Sequence, residues 1–420
     1  MRRRYSLRFY LAGAVAARAG DEMSGPALML AGFAVAGSTV EASALLAGIT
    51  VSAAVGGPVL GVLLDRAGRP GRLLAGALVM YAAGLGVILV GLARLLFAVI
   101  MVIAVVTGLL GPALSGGWTA QLPRVVLGDH LQRANAFDAM TFSVASLAGP
   151  ALAGGVAEVL GAPSAVVVSV VLIALALPAA WRLPAPPGRA RGAHTTSVIS
   201  DLAAGIRIIV ARPSLARATL ASIVSCVSQG MLTACIPLLG ERVLGGAGRG
   251  AVLLSCTAVS ALVANAVLAW FPRAVAPDTI IWTSALVQAV ALALATTGSP
   301  MALIVAVLIA GAGEGPQLTA LLAVRHREAP EPLRGQVFTT GASLKITGFA
   351  LGAAVAGPMA TCSLPGALAL AAGAAALAAL GFFAIPSGAA DRGVRRLAVV
   401  GEASARSARS APGCRSLPKS

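Results

Sequence analysis

The chain has 420 residues, 58% of them hydrophobic and only 11% charged, with a mean hydropathy of +0.90. Soluble globular chains average roughly 45–50% apolar and about 25% charged residues, so a water-soluble enzyme, a disordered chain and a secreted disulfide scaffold are excluded. The formal charge of +16 rests on 31 Lys and Arg, 29 of them Arg, and its meaning depends on where those residues fall.

About 20 apolar residues cross a bilayer as a helix. Apolar runs between charged or Pro/Gly-rich breaks give twelve such helices. The first six cover 9–35, 42–64, 72–92, 95–119, 136–159 and 163–181. The first run is long and carries internal charges, so no signal-peptide cleavage is needed to explain it. A break over 183–215 opens with a Pro/Arg-rich stretch. It continues as an interfacial helix with Val198, Ile199, Leu202, Ile206 and Ile209. Six further runs cover 216–240, 249–271, 279–298, 301–323, 336–360 and 364–386. The expected architecture is an all-α membrane protein with one six-helix half over 1–182 and another over 216–386. A cytoplasmic linker over 183–215 joins them, and 387–420 is expected to form a disordered basic tail.

With the N-terminus in the cytoplasm, 26 basic residues fall on the cytoplasmic side. Three (Arg94, Arg242, Arg249) fall on the other, and Arg18 and Lys345 lie within spans. This follows the positive-inside rule and implies cytoplasmic termini in a plasma (inner) membrane protein. The basic charge is then a topology signal, and nucleic acid is not an expected partner. The five cysteines form no CxxC or metal-spaced set, so no disulfide, metal or cofactor is expected. HExxH, GxSxG and GxxxxGK[ST] patterns are missing, which argues against an enzyme and against an ATP-driven pump. Nothing demands more than a monomer.

The two halves show weak self-similarity. Arg133 and Phe137 before the fifth span match Arg334 and Phe338 before the eleventh at a shift of 201. Gly111-Pro112-Ala-Leu114 matches Gly315-Pro316-Gln-Leu318 at a shift of 204.

Between spans two and three the chain reads Gly61-Val-Leu63-Leu-Asp65-Arg66-Ala-Gly68-Arg69. Positive-inside charge explains the arginines but not this spacing. Asp65 suits a helix N-terminus, whose dipole favours an anion, and the arginines suit carboxylates or carbonyls across an interface between halves. The pattern resembles the first cytoplasmic signature of the major facilitator superfamily, and the resemblance covers the whole chain. Gly61, Leu63, Asp65, Arg66, Gly68 and Arg69 match, whereas Leu64 and Ala67 depart from it. The resemblance implies twelve helices in two pseudo-symmetric bundles and assigns Asp65, Arg66 and Arg69 to a conformational latch. The counterpart Trp270-Phe-Pro-Arg273 is degenerate. Gly149-Pro150-Ala-Leu-Ala-Gly154-Gly155 in span five resembles the family's exporter-associated motif, with Ala153 at the position of an expected glycine. It serves equally as small-residue helix packing. The fourth-helix arginine linked to proton coupling in exporters is absent, and alignment on Gly111 puts Thr107 there.

Charges inside the bilayer are costly and mark function or a structural pair. Arg18, Asp21 and Glu22 share one face of span one, which lets Arg18 reach either carboxylate. Glu22 lies roughly 20 Å beyond Arg8 along the helix, and Lys345 roughly 16 Å beyond Arg334. Glu314 is mid-span in ten. The family's cavity is lined by helices one, four, seven and ten, which places Arg18, Asp21, Glu22 and Glu314 beside it. Asp21 or Glu22 is the expected proton carrier with Arg18 as its partner, and Glu314 and Lys345 are further candidates. Asp138, at the start of span five, belongs to the latch or to an ion pair. Gln229, Gln317 and Thr107 are substrate-cavity candidates, the glutamines serving alternatively as links between helices. His130, His194 and His326 are not expected to be ligands. Aromatic residues are too few, at 4%, for an aromatic cage. The expected function is proton-coupled efflux of a small drug-like or secondary-metabolite molecule by alternating access. An uptake symporter or uniporter of the same fold is the alternative.

Overall fold

The computed structural model describes residues 5–36, 39–126, 128–185, 198–245, 250–271 and 274–385. The expected tail at 387–420, most of the linker's Pro/Arg-rich stretch and Arg273 lie outside them. The described residues form helices and turns without a strand. The α-helices are α1 (Leu7–Ala36), α2 (Thr39–Arg66), α3 (Pro70–Gly91), α4 (Phe97–Gly108), α5 (Leu131–Leu160), α6 (Ala162–Trp181) and α7 (Val198–Ala211). They continue with α8 (Pro213–Leu244), α9 (Gly250–Trp270), α10 (Pro277–Ala295), α11 (Pro300–Glu328), α12 (Arg334–Cys362) and α13 (Leu364–Ala384). A π-helical turn, Ala113–Gly117, lengthens the α4 segment.

Eleven described helical segments are long and apolar enough to cross a membrane. The 30-residue α1 is not among them, because Arg18, Asp21 and Glu22 interrupt its apolar run. The 14-residue α7 is too short to span and carries the linker's apolar face, with Ile209 buried and Val210 exposed. Helices outrun the apolar runs. α5 starts at Leu131 and α8 at Pro213, ahead of the expected 136 and 216, since a helix keeps its backbone bonded after its side chains turn polar.

Local chemistry explains the boundaries. Six helices (α3, α6, α8, α10, α11 and α13) carry proline in their first turn, where no intrahelical N–H partner is lost. Gly245 closes α8 in the left-handed conformation, φ 77°.

The largest buried apolar cluster is drawn from α1 to α6 and their connections, and a second from α8 to α13. They meet where α2 runs along α12, α5 along α9 and α11, and the π turn against α12. Gly57 and Gly61 permit the α2–α12 approach, because a Cβ at either would overlap the α12 backbone near Thr339 or Gln336. Ser343 fastens this seam. Its hydroxyl donates to the Ala53 carbonyl at 2.6 Å and accepts from the Gly57 N–H at 3.1 Å.

The glycines of span five divide. A Cβ at Gly149 would come 2.6 Å from the Glu22 Cβ, so Gly149 brings α5 onto α1. Gly154, expected to pack, meets open space, and fully buried Ala153 makes the contact instead. Pro150 is exposed within α5.

Gly57→Ala is therefore expected to destabilise the protein by about 1–3 kcal/mol through overpacking. Gly154→Ala is expected to be neutral or to stabilise by up to about 1 kcal/mol through helix propensity. Thermal unfolding in detergent compares the two signs directly.

Candidate functional site

Asp65 ends α2 and is buried at the start of α12. Its Oδ1 accepts the Gly335 N–H at 2.7 Å and its Oδ2 the Gln336 N–H at 2.8 Å. The first N–H groups of a helix have no intrahelical partner and carry the positive end of the dipole, so one carboxylate satisfies two of them with favourable charge. Arg66 pairs with Asp201 of α7 at 2.7 Å, and the Gln336 side chain donates to the Leu202 carbonyl at 2.9 Å. One short segment thus ties α2, α7 and α12 together. Gly61 lies against Gln336, whereas Gly68 has open space around it and Arg69 is exposed just before α3.

Arg18 does not pair with Asp21 or Glu22. Its guanidinium turns to α5, where Nη1 lies 3.0 Å from Asp138 Oδ1 and 2.9 Å from the Asp138 carbonyl. Thr141 accepts from Nη1, Thr119 accepts from Nη2 at 2.7 Å, and the Phe142 ring lies 3.7 Å away. Tyr10 and Thr119 also donate to Asp138, at 3.2 and 2.8 Å. The pair is 2% and 0% exposed. Asp138 therefore belongs to this buried ion pair, and among the described residues its hydrogen bonds run to Tyr10, Arg18, Thr119 and Thr141 and not to the Asp65 cluster. A helical wheel shows which residues share a face but not which neighbouring helix packs on it. That is why α5 supplies the partner unseen.

The carboxylates of α1 are left to other groups. Tyr81 of α3 donates to Asp21 at 2.8 Å, and Ser24 bonds to both the Tyr81 hydroxyl and the Asp21 carbonyl. Glu22, midway along α1, is exposed, hydrogen-bonds with Ser146 of α5 and lies within electrostatic range of Glu314 on α11. Glu314 is likewise in range of Lys345 on α12. Glu314 and Lys345 line one cavity with Cys226, Gln229 and Gln317. Its volume is about 30 Å³, room for roughly a water molecule or two, whereas organic ligands fill about 300–1,000 Å³. A larger cavity of about 590 Å³ lies between α3 and α6, lined by Arg72, Met80 and Trp181, apart from these carboxylates.

Gln317 accepts from Gln288 at 3.1 Å and donates to Ser225 at 2.9 Å, so it knits α8, α10 and α11 as well as lining the cavity. Thr107 is not at the cavity. It is buried against Gly84 of α3 and donates to the Ile103 carbonyl at 2.7 Å. Tyr81, Thr119 and Ser146 escaped the sequence reading, since isolated hydroxyls on apolar helices carry no periodic signal.

Asp138→Ala, which strands Arg18 in the interior, is expected to cost about 3–5 kcal/mol. Replacing both members by apolar residues is expected to cost less than the single change. Thermal unfolding of the two variants in detergent measures the difference.

The sequence pattern of the Major Facilitator Superfamily matches residues 10–276. The chain is 29% identical over 358 residues to an uncharacterized MFS-type transporter, y4rN, of Sinorhizobium fredii, covering 82% of this chain and 84% of that protein. Its fold resembles that of the human organic anion transporter MFSD10, with TM-score 0.74, 17% identity and coverage of 92% and 100%. It also resembles a bacterial homologue of the iron transporter ferroportin in an outward-facing state, with TM-score 0.73, 15% identity and coverage of 91% and 99%. The fucose:proton symporter of E. coli follows with TM-score 0.70, 15% identity and coverage of 92% and 100%. At these identities the likeness is one of fold, while the family match spans more than half of the chain. Together with eleven membrane-length helices, it makes this chain a multi-pass secondary transporter belonging to the major facilitator superfamily.

Proposed function

We propose that the chain exports a small drug-like or secondary-metabolite molecule in exchange for protons, by alternating access of two six-helix halves. In this reading α1 is the twelfth membrane span, and 1–182 and 216–386 are the halves. The linker at 183–215 carries α7. The excess of arginine on one side supports cytoplasmic termini in a plasma membrane protein, which we take as a monomer. The observation that carries the reading is the placement of Asp21, Glu22 and Glu314. They lie in α1 and α11, with Glu22 and Glu314 within electrostatic range of each other, while Arg18 is committed to Asp138. Intramembrane carboxylates without an ion-pair partner mark ion or substrate pathways.

The steps follow from this placement. A proton or a cationic substrate group between Glu22 and Glu314 relieves their mutual repulsion, and Lys345 supplies the opposing charge when both are empty. Asp21, held by Tyr81, is the second proton site. The seam of Gly57, Gly61, Asp65 and Ser343 closes the cytoplasmic end. Opening that end separates α2 from α12 and breaks the bonds from Asp65 to Gly335 and Gln336. Arg66 and Asp201 couple α7 to this movement, and Arg18 keeps α1 and α5 together as one rigid body. Uptake by symport or uniport uses the same parts, and the fucose:proton symporter shows that this fold also hosts symport.

The first test is proton movement in proteoliposomes under a pH gradient, with a panel of lipophilic dyes as substrates. Export by antiport requires dye-dependent proton flux in wild type that falls to background in Asp21→Asn/Glu22→Gln. Dye flux without proton movement, unchanged in the variant, excludes it. The second test concerns the latch. Asp65→Asn removes a charge-assisted helix cap worth about 1–2 kcal/mol, which shifts the equilibrium toward the cytoplasm-open state roughly tenfold. A cysteine placed at Ala53 is expected to be alkylated faster in inside-out vesicles of that variant.

A further inference from the structure

Beside the cavity lined by Glu314 and Lys345 lies a buried arginine, Arg325, with no ion-pair partner among the described residues. Arg325 stands one helical turn beyond Leu321, which lines the cavity, and is 3% exposed. Its Nη2 has no hydrogen-bond partner among the described residues. His326 is 7% exposed and stacks on Phe338 at 4.4 Å, with both ring nitrogens unpartnered. The buried Thr340 hydroxyl is unpartnered too. Arg325 and Arg334 both lie within electrostatic range of His326, and Arg334 is itself in range of Glu331 and Asp65.

The seat of Arg325 is built. Its guanidinium lies 5.9 Å from the Phe338 ring centre and against Gly341, where a Cβ would overlap it. Gly341 is one turn from Lys345 on α12, and Cys226 lies within electrostatic range of both Lys345 and Arg325. Lys345 thus lines the cavity, and Arg325 lies one helical turn behind its lining at Leu321. The first half of the chain resolves a buried arginine differently, by placing Asp138 on Arg18. At the repeat shift of 201, Asp138 corresponds to Thr339, whose hydroxyl is already bonded to the Gly335 carbonyl at 2.9 Å. A buried guanidinium is strongly disfavoured without a negative partner, and a carboxylate matches its fork of donors.

We propose that Arg325, packed against Gly341 one turn along α12 from Lys345, binds the carboxylate of a small organic substrate. This rests on reading the cavity as the transport route, and it narrows the substrate class to molecules bearing a carboxylate.

The test uses the full chain in non-ionic detergent, with sodium benzoate as the probe and sodium chloride and sodium phosphate at matched ionic strength. Benzoate is expected to raise the unfolding temperature of wild type by a few degrees through preferential binding to the folded state. The shift is expected to shrink in Arg325→Lys, to shrink further in Lys345→Gln and to vanish in Arg325→Gln. Without benzoate, Arg325→Gln is expected to unfold at or above the wild-type temperature, since it removes an unpaired buried charge. A benzoate shift of full size in both Arg325→Gln and Lys345→Gln overturns the proposal, as does no shift in wild type. Equal shifts with phosphate and chloride overturn the organic carboxylate as ligand. If Arg325→Gln does not fold, the Lys345→Gln and Arg325→Lys shifts decide alone. Proton flux in proteoliposomes is a separate readout, so loss of this proposal leaves the transport reading standing.

Discussion

In a bilayer the hydrocarbon offers no hydrogen bonds, so every charge inside the helices must find its partner within the protein. This constraint organises the structure. Arg18 and Asp138 meet it as an ion pair, with hydroxyls from Tyr10, Thr119 and Thr141 bonded to one or the other. That cluster joins α1 to α5 and to the segment after the π turn, and so fixes how the first group of helices packs. Other interior charges meet the constraint only in part: Asp21 has a tyrosine, Glu314 has Lys345 at a distance, and Arg325 has an aromatic ring. Charges of the same chemical type therefore differ in how fully they are paired, and of the partly paired ones Glu314 lines the cavity with Lys345.

Asp65 applies the same physics at a helix end. It serves two N–H groups of α12 while sitting at the end of α2, so its bonds exist only while those helices touch. The glycines along the seam make contact close enough for those bonds, and Ser343 reinforces it without bulk. The seam thus combines close glycine packing with hydrogen bonds from Asp65 and Ser343, in contrast to the purely apolar clusters within each group of helices.

Much of this architecture is written along the chain. The apolar runs, the arginine asymmetry and the spacing around Asp65 depend on local order, because a membrane helix needs only length and apolarity to form. The repeat of Arg133 and Phe137 at Arg334 and Phe338 pointed to related halves for the same reason. Legibility ended at α1, whose three charges make it the one long helix outside the membrane-length group. It also ended at Thr107 and Gly154, which were placed by motif alignment and proved to be a packing residue and an open position.

By itself the sequence determined that the chain is helical, membrane-embedded and built like a major facilitator. It also singled out Arg18, Asp21, Glu22, Glu314 and Lys345 as charges within apolar runs. Only the tertiary structure decided which charges meet. It gave Arg18 to Asp138 across 120 residues, Asp21 to Tyr81 across 60 and Asp65 to the start of α12 across 270. It also turned Arg325, one topology arginine among many in the sequence, into a buried cation beside the cavity. The reason is physical. Hydropathy and helical period are properties of one segment, whereas an ion pair is set by the rotation and depth at which two distant helices pack.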